Sequence, residues 1–424
     1  MSEPQPDRPL DLVLYGATGF VGRRAAAYLS QHEAAPRWAI AGRDRSKLQT
    51  LRAELAAARA VRTLPQIIVA DSSHRTELDA LAAQARAVIS TAGPYARFGD
   101  ALVDACVRQK THYADITGET VWVRGLIDRH HTAAAHDGTR IVPFCGFDSI
   151  PSDLGTLLLV RFFRQQFQAP CSEVTAYFRL AGGFNGGTLA SNFERFARGD
   201  AAAGRDPFLL DPDRRHRFDV IEANRDPQAP RFERDLDAWV APFVMGPINT
   251  RVVRRSAALQ ALWGEPYGDA LTEGDAPLRY QEYQRFSGPL TGAQAAAMTG
   301  AATLFNLGAA LRPTRALLQR LVPAPGSGPS ELMMERGWFE VELIGRGRRG
   351  ERARALIAFR GDPGNRATLR LLCESGLLLA SDPAALPGGT ARGGVLTPAT
   401  ALGEALVAPL QRAGFRIEVG TATR

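Results

Sequence analysis

The run Leu12–Gly22, LVLYGATGFVG, constrains this chain more than any other stretch. A short apolar strand feeds Gly16, Gly19 and Gly22 and then a helix-forming segment. Such a corner puts free backbone N–H groups and the positive end of a helix dipole where a dinucleotide's pyrophosphate binds. Gly16 permits the sharp turn, Gly19 lets the backbone approach the ligand, and Gly22 lets the helix sit tightly on the sheet. Thr18, Phe20 and Val21 are counted with them as cofactor-binding positions. The spacing is GxxGxxG and not GxGxxG, so the flanking strand and helix and a basic cue one unit later carry the assignment against a turn that serves packing alone.

Strands and helices alternate from there in the βαβ manner. Strands are expected at 12–15, 38–41, 66–70, 87–91, 113–116 and 141–144, with helices at 21–31, 46–60, 77–85, 100–110 and 121–137. A linking helix follows at 152–167, and then the character changes. Residues 173–180 and 280–286 read as strands, 184–198 as a helix after a glycine-rich turn, and 205–237 as mostly loop. PAPGSGP, 323–329, is a turn, and the alternating segments 338–345 and 352–359 form a hairpin across a basic turn. Helices are expected at 368–379 and 398–412, the second opened by the cap pair Thr397-Pro398, and a last strand at 415–418. The fold class is therefore α/β. A Rossmann-like parallel-sheet domain spans 1–155, and an α+β domain with a mixed or antiparallel sheet spans 156–390. A C-terminal helix and strand, 391–424, are expected to pack back on the nucleotide domain.

The chain has 424 residues, enough for two cored domains, and its 45% hydrophobic and 22% charged content is that of a globular protein. The net charge of +7 comes from scattered arginines without a basic, aromatic-interleaved run, which fits a phosphate-bearing ligand better than nucleic acid. Cys106, Cys145, Cys171 and Cys373 form no CxxC, and His112, His130, His131 and His136 show no metal-ligand spacing, so no metal is expected. The opening residues lack the order of a signal peptide, and the cytoplasm is the expected location. Residues 295–311, AAAMTGAATLFNLGAAL, carry no charge. They read first as a buried helix or the wall of an apolar tunnel, and second as a helix making peripheral membrane contact.

At the end of the second strand, AGRDRSK puts Arg43 where an arginine accommodates the 2′-phosphate of NADP. NADP(H) is therefore preferred, with NAD(H) open because Asp44 follows directly. Asp71 is placed either to bond the adenine amino group or to cap the next helix. Ligands of such sheets bind at the carboxyl ends of the strands. Three segments converge there: TAGPYARFG (91–99), DITGE (115–119) and CGFDSIPSD (145–153). Thr91, Ala92, Gly93 and Ser149 are candidate cofactor contacts, and Tyr95, Asp115, Glu119 and Asp148 candidate catalytic groups. Each also has a structural reading as a packing, turn or cap residue. No Tyr-x-x-x-Lys pair stands where a short-chain dehydrogenase would carry one.

The chain resembles the saccharopine dehydrogenase-like oxidoreductases, and among them the bacterial trans-acting enoyl reductases. YGATGFVGR (15–23), AGRDRSKL (41–48), TAGPYARFG, YADITGE (113–119) and CGFDSIPSD carry the resemblance. PAPGSGPS (323–330), GDPGNRATLRLLCESGLLLA (361–380) and GGVLTPATALGEAL (393–406) extend it, whereas 200–290 adds little. The resemblance implies a nicotinamide dinucleotide on Gly16, Gly19 and Gly22. It also implies reduction of the double bond of an enoyl thioester on the way to complex lipids, the substrate free or presented by a carrier protein. An amino-acid imine reductase of the saccharopine type and a noncatalytic, membrane-associated nucleotide-binding protein are the alternatives. A homodimer is compatible with either.

Overall fold

The computed structural model describes residues 8–182, 193, 197, 199–200, 202–213, 215–268, 278–321 and 328–422. The helix expected at 184–198 and most of the 323–329 turn lie outside the described residues. The chain divides into two compact units.

The first unit comprises residues 1–147, 325–328 and 364–413. Its sheet is built from β1 (Leu10–Tyr15), β2 (Trp38–Gly42), β3 (Gln66–Val69), β4 (Ala85–Ser90), β5 (His112–Asp115), β6 (Arg140–Val142) and β13 (Gly394–Val395). The strand order is β3-β2-β1-β4-β5-β6-β13, and every pairing is parallel. That is the doubly wound dinucleotide-binding order, which reverses between β1 and β4. The central strand β1 is mostly apolar because helices cover both faces of the sheet, and its Leu10, Leu12, Val13 and Leu14 are fully buried.

The second unit comprises 148–324, 329–363 and 414–424. Its sheet holds β7 (Glu173–Ala181), β8 (Arg231–Glu233), β9 (Ala238–Pro242), β10 (Arg279–Arg285), β11 (Trp338–Arg346), β12 (Arg352–Arg360) and β14 (Arg416–Thr421). The order is β14-β12-β11-β7-β10-β9-β8, with β7 and β10 parallel and the other pairs antiparallel. The mixed sheet and the 338–359 hairpin agree with the sequence reading. β12 alternates buried and open positions, so one face is apolar, and helix Ile150–Phe162 packs on it. Gly155 makes that approach possible: a Cβ there would lie 2.7 Å from Leu343 Cδ1.

Two segments differ from the expected division. Helix Thr368–Leu379 belongs to the first unit, not the second, because its apolar face lies on β4 and β5. A Cβ on Gly376 would sit 2.4 Å from Ile89 Cγ2, so only glycine allows that contact. The final strand, β14, pairs with β12 over Ala353–Ala358 and so completes the second sheet in place of returning to the nucleotide unit.

Residues 295–311 are also not buried. Helix Thr291–Ala310 packs beside β9, yet only Ala295 and Ala309 are buried along it. Among the described residues no helix is long and apolar enough to cross a membrane.

Candidate active site

β1 runs between β2 and β4 and ends in the glycine corner. Gly16 adopts φ +78°, and a Cβ on it would press within 3.0 Å of Ala92. The Thr91 hydroxyl clasps the turn by donating to the Gly16 carbonyl at 3.1 Å. A Cβ on Gly22 would stand 2.3 Å from the Gly16 carbonyl oxygen, so turn and helix touch backbone to backbone. Gly19 caps helix Phe20–Gln31 in an extended conformation and offers no side chain to its amides, and the first turn holds no acidic residue. The leading amides at Phe20, Val21 and Gly22 are thus unclaimed by any capping side chain, as an anion site requires. Thr18 is partly buried in the turn. Gly328, from the distant PAPGSGPS motif, lies against the Phe20 ring so closely that a Cβ would overlap it. A dinucleotide's pyrophosphate fits this corner on backbone geometry alone.

On the β2 side, Arg43 is exposed and makes no hydrogen bond or ion pair among the described residues. Its charge is felt by Tyr15 and Asp71. Asp44 is committed elsewhere: it caps helix Arg45–Ala57, accepting from Lys47 N at 3.1 Å and Ser46 Oγ at 2.7 Å. Those bonds hold its carboxyl below the usual range. Asp71 closes a local turn by accepting from the amide and hydroxyl of Ser73 at 2.9 and 2.8 Å. Asp71 thus shapes the turn ahead of helix Arg75–Ala83, whose cap position is His74, and does not itself cap that helix.

The loops after β4 and β5 are tied to each other. Thr91, Ala92 and Gly93 lie open or partly open at the end of β4, before a cis Gly93–Pro94 bond. Tyr95 points inward. Its hydroxyl donates to Ser90 O at 3.0 Å, its ring stacks on Trp122, and burial pushes its ionisation far up. Glu119 accepts from the amides of Tyr95 and Ala96, both at 2.9 Å. Asp115 is fully buried and accepts from Tyr113 OH at 2.9 Å and Thr117 N at 3.0 Å. Burial nonetheless raises its pKa to about 7. All three side chains make hydrogen bonds that shape these loops.

Asp148 differs. It follows Phe147 directly, just beyond the β6 loop, and is only partly buried. No hydrogen bond or ion pair engages its carboxyl among the described residues, and desolvation alone raises its pKa to about 7. Ser149, by contrast, is fully buried, its hydroxyl 3.2 Å from Asn249 Oδ1 within the second unit.

Sequence reasoning missed the group that Ser149 leads to. Asn249 donates to Glu282 Oε2 at 2.8 Å, while Ser152 and Tyr280 donate to Oε1 at 2.5 and 2.7 Å. Burial raises Glu282 to about 7 despite those three donors. Nothing in the QEYQR strand marks it as an inward carboxyl, since its neighbours alternate polar residues on both faces. The histidines are placed by packing. His112 Nδ1 accepts from Arg140 N, His130 meets Asp104, His131 meets Val395, and His136 is exposed beside Asp137.

Residues 12–142 match the family described as the saccharopine dehydrogenase NADP binding domain. The chain is similar to Rv2449c of Mycobacterium tuberculosis, 39% identical over 97% of each chain. It is also similar to the trans-acting enoyl reductase of Mycobacterium ulcerans, 38% identical over 98% of each. A trans-acting enoyl reductase of Mycobacterium tuberculosis is 39% identical over 96% of this chain and 97% of its own. Among solved structures, apo saccharopine dehydrogenase (L-Glu forming) from Saccharomyces cerevisiae aligns over 97% of this chain and 99% of its own, with a TM-score of 0.45 and 12% identity.

Proposed function

The chain belongs to the trans-acting enoyl reductase family, and we propose that it reduces the carbon–carbon double bond of an enoyl thioester, with NADP(H) preferred over NAD(H). The observation that carries the reading is the uncapped glycine corner, where Gly22 meets the Gly16 carbonyl and no side chain caps the first helical amides. The choice of NADP(H) rests on Arg43: its guanidinium is uncommitted at the β2 edge, while Asp44, the group that would favour NAD, is consumed by a helix cap.

When bound, the cofactor supplies the hydride that adds to the β-carbon of the enoyl group. The chain must hold the acceptor at the carboxyl edge of β4 to β6, exclude water, and deliver a proton to the α-carbon. Asp148 is the group suited to that last step. Its carboxyl has no hydrogen bond or ion pair among the described residues, and its raised pKa keeps much of it protonated near neutral pH. Tyr95, Asp115 and Glu119 act through position, by fixing the loops on which the acceptor rests. The acyl thioester is read as carrier-presented, following the trans-acting relatives.

The test is NADPH consumption by the purified protein with enoyl thioesters of increasing chain length, in parallel with imino acids. Turnover of the enoyl substrates with formation of the saturated thioester is expected. Turnover confined to imino acids, or none with NADPH bound, overturns the assignment.

A further inference from the structure

Helix Thr291–Ala310 has no charged residue along its length. Ala293, Ala297, Gly300, Leu304, Leu307 and Leu311 recur at alternating steps of four and three, which places them on one side, and all are exposed. Leu304, Leu307 and Leu311 are 72%, 61% and 60% exposed. The helix is seated on β9 by a different side, where Gly292 lies against Trp239. The leucine stripe is thus left without a partner among the described residues. Scattered exposed leucines need no explanation, but a continuous stripe does.

The next helix, Arg312–Leu321, folds back onto the first. Arg315 donates to Ala309 O at 3.2 Å, Thr314 bonds Gly308 O, and Leu318 packs at Gly308. It carries Arg312, Arg315 and Arg320, none of which forms an ion pair among the described residues, and it exposes Leu317. From Phe286 to Ser330 these arginines are the only charges, and there is no Asp or Glu. A two-fold contact of this face with a second copy would bring arginines against arginines with no carboxylate in the segment to pair them. An anionic lipid surface offers both halves of what the face presents: an apolar boundary for the leucines and acidic headgroups for the guanidiniums.

We propose that helices Thr291–Ala310 and Arg312–Leu321 form a docking face that lies in the plane of an anionic lipid surface, with Leu304, Leu307 and Leu311 inserted and the arginines at headgroup level. The mode is peripheral, because no described helix is long and apolar enough to span. The assignment stands whether or not the enoyl reading holds, since it uses none of the cofactor-site residues.

The test is co-sedimentation of the full-length protein with phosphatidylglycerol–phosphatidylcholine vesicles and with pure phosphatidylcholine vesicles, beside sedimentation velocity without lipid. Binding to the anionic vesicles is expected, roughly a hundredfold stronger than to neutral ones, and weakened by salt. The double variant Leu304→Glu and Leu307→Glu should lose it by at least about tenfold while keeping its melting temperature and NADPH affinity, as both side chains are exposed. Arg312→Glu with Arg320→Glu should abolish the preference for anionic lipid. Failure of the wild-type protein to bind either vesicle overturns the proposal. So does a dimer that the leucine variant dissolves while vesicle binding stays absent, which would give the face to a second copy. Cofactor binding, read on the same samples, distinguishes this failure from failure of the enzyme assignment.

Discussion

The Glu119 carboxylate holds the backbone amides of Tyr95 and Ala96, each at 2.9 Å, and so joins the loop after β5 to the loop after β4. A side chain that reads as a candidate acid in sequence is thereby the clamp of a short helical turn. Glu119→Ala leaves two partly buried amides without an acceptor, which should cost about 1–3 kcal/mol of stability. Urea denaturation of the two proteins measures it. Glu119→Gln, which keeps one good acceptor, should recover part of the loss. An alanine variant as stable as the parent would show that the carboxylate is not a clamp.

Arg43 and Asp44 are neighbours with separate duties, one facing solvent and one spent on Lys47 N. Arg43→Ala should weaken NADPH binding by about 10- to 100-fold and leave NADH affinity nearly unchanged, since a charged hydrogen bond to phosphate is worth about 1.5–3 kcal/mol. Asp44→Ala should lower stability modestly through the lost cap, without reversing cofactor preference. Titration calorimetry with both nucleotides separates the two effects. A swap of preference on removing Asp44 would mean that its carboxylate, and not the arginine, faces the ribose.

Gly22→Ala forces a Cβ to within 2.3 Å of the Gly16 carbonyl and 2.9 Å of Ala17. Both neighbours are backbone, so no side-chain rotation relieves the clash, and the helix must move off the corner. Binding of either nucleotide should fall by at least about 100-fold, because the phosphate-facing amides move with it. Fluorescence of bound NADPH reads this directly. Near-normal affinity would dissociate the glycine corner from cofactor binding.

How much of this was legible in advance depended on whether a residue's neighbours in sequence were also its neighbours in space. The glycine corner and the parallel strands show in the sequence because sharp turns need glycine and doubly covered strands need unbroken apolar runs. Helix Gly246–Leu262 did not show. Its Arg251, Arg254 and Arg255 look like a solvated face, yet they are buried and donate to carbonyls of Gly204, Arg205, Asp206, Pro207 and Leu210. Long-range partners of that kind leave no periodic mark. The pairing of β14 with β12 is similarly non-local, and the uncharged stretch at 295–311 fits an interior helix as well as a membrane-contacting one, because composition reports apolarity without saying what covers it.

Glu282 illustrates what such hidden groups do to stability. Its pKa is raised from 4.5 to about 7 by burial, so the folded protein keeps a proton that the unfolded chain releases between those values. Its favourable share is fully present below pH 4.5 and is lost as pH rises to about 7. Glu282→Gln removes that slope, on the order of 3 kcal/mol across the window, apart from a constant offset for the altered bonds to Ser152, Tyr280 and Asn249. Denaturation midpoints at pH 5 and pH 8 test it. Parallel profiles for parent and variant would mean that the carboxyl is ionised throughout.

Asp148 has the same sign of shift without any donor to offset it, its pKa rising from 3.8 to about 7 through desolvation alone. As proton donor it works only when protonated, so kcat/KM with an enoyl thioester should fall as pH rises through about 7. Asp148→Asn should lower kcat by about 100-fold or more and flatten that alkaline limb, while leaving NADPH affinity in place. For stability the linkage has the same direction, the favourable share of the protonated form being lost as pH rises from 3.8 to about 7. Above pH 7 the parent holds an ionised, desolvated carboxylate that the variant lacks, so the variant should be the more stable there. Below about pH 4 both forms are neutral and the difference should vanish. A variant that gains stability at high pH yet keeps its activity would leave Asp148 a strained but idle group, and the proton would have to come from solvent.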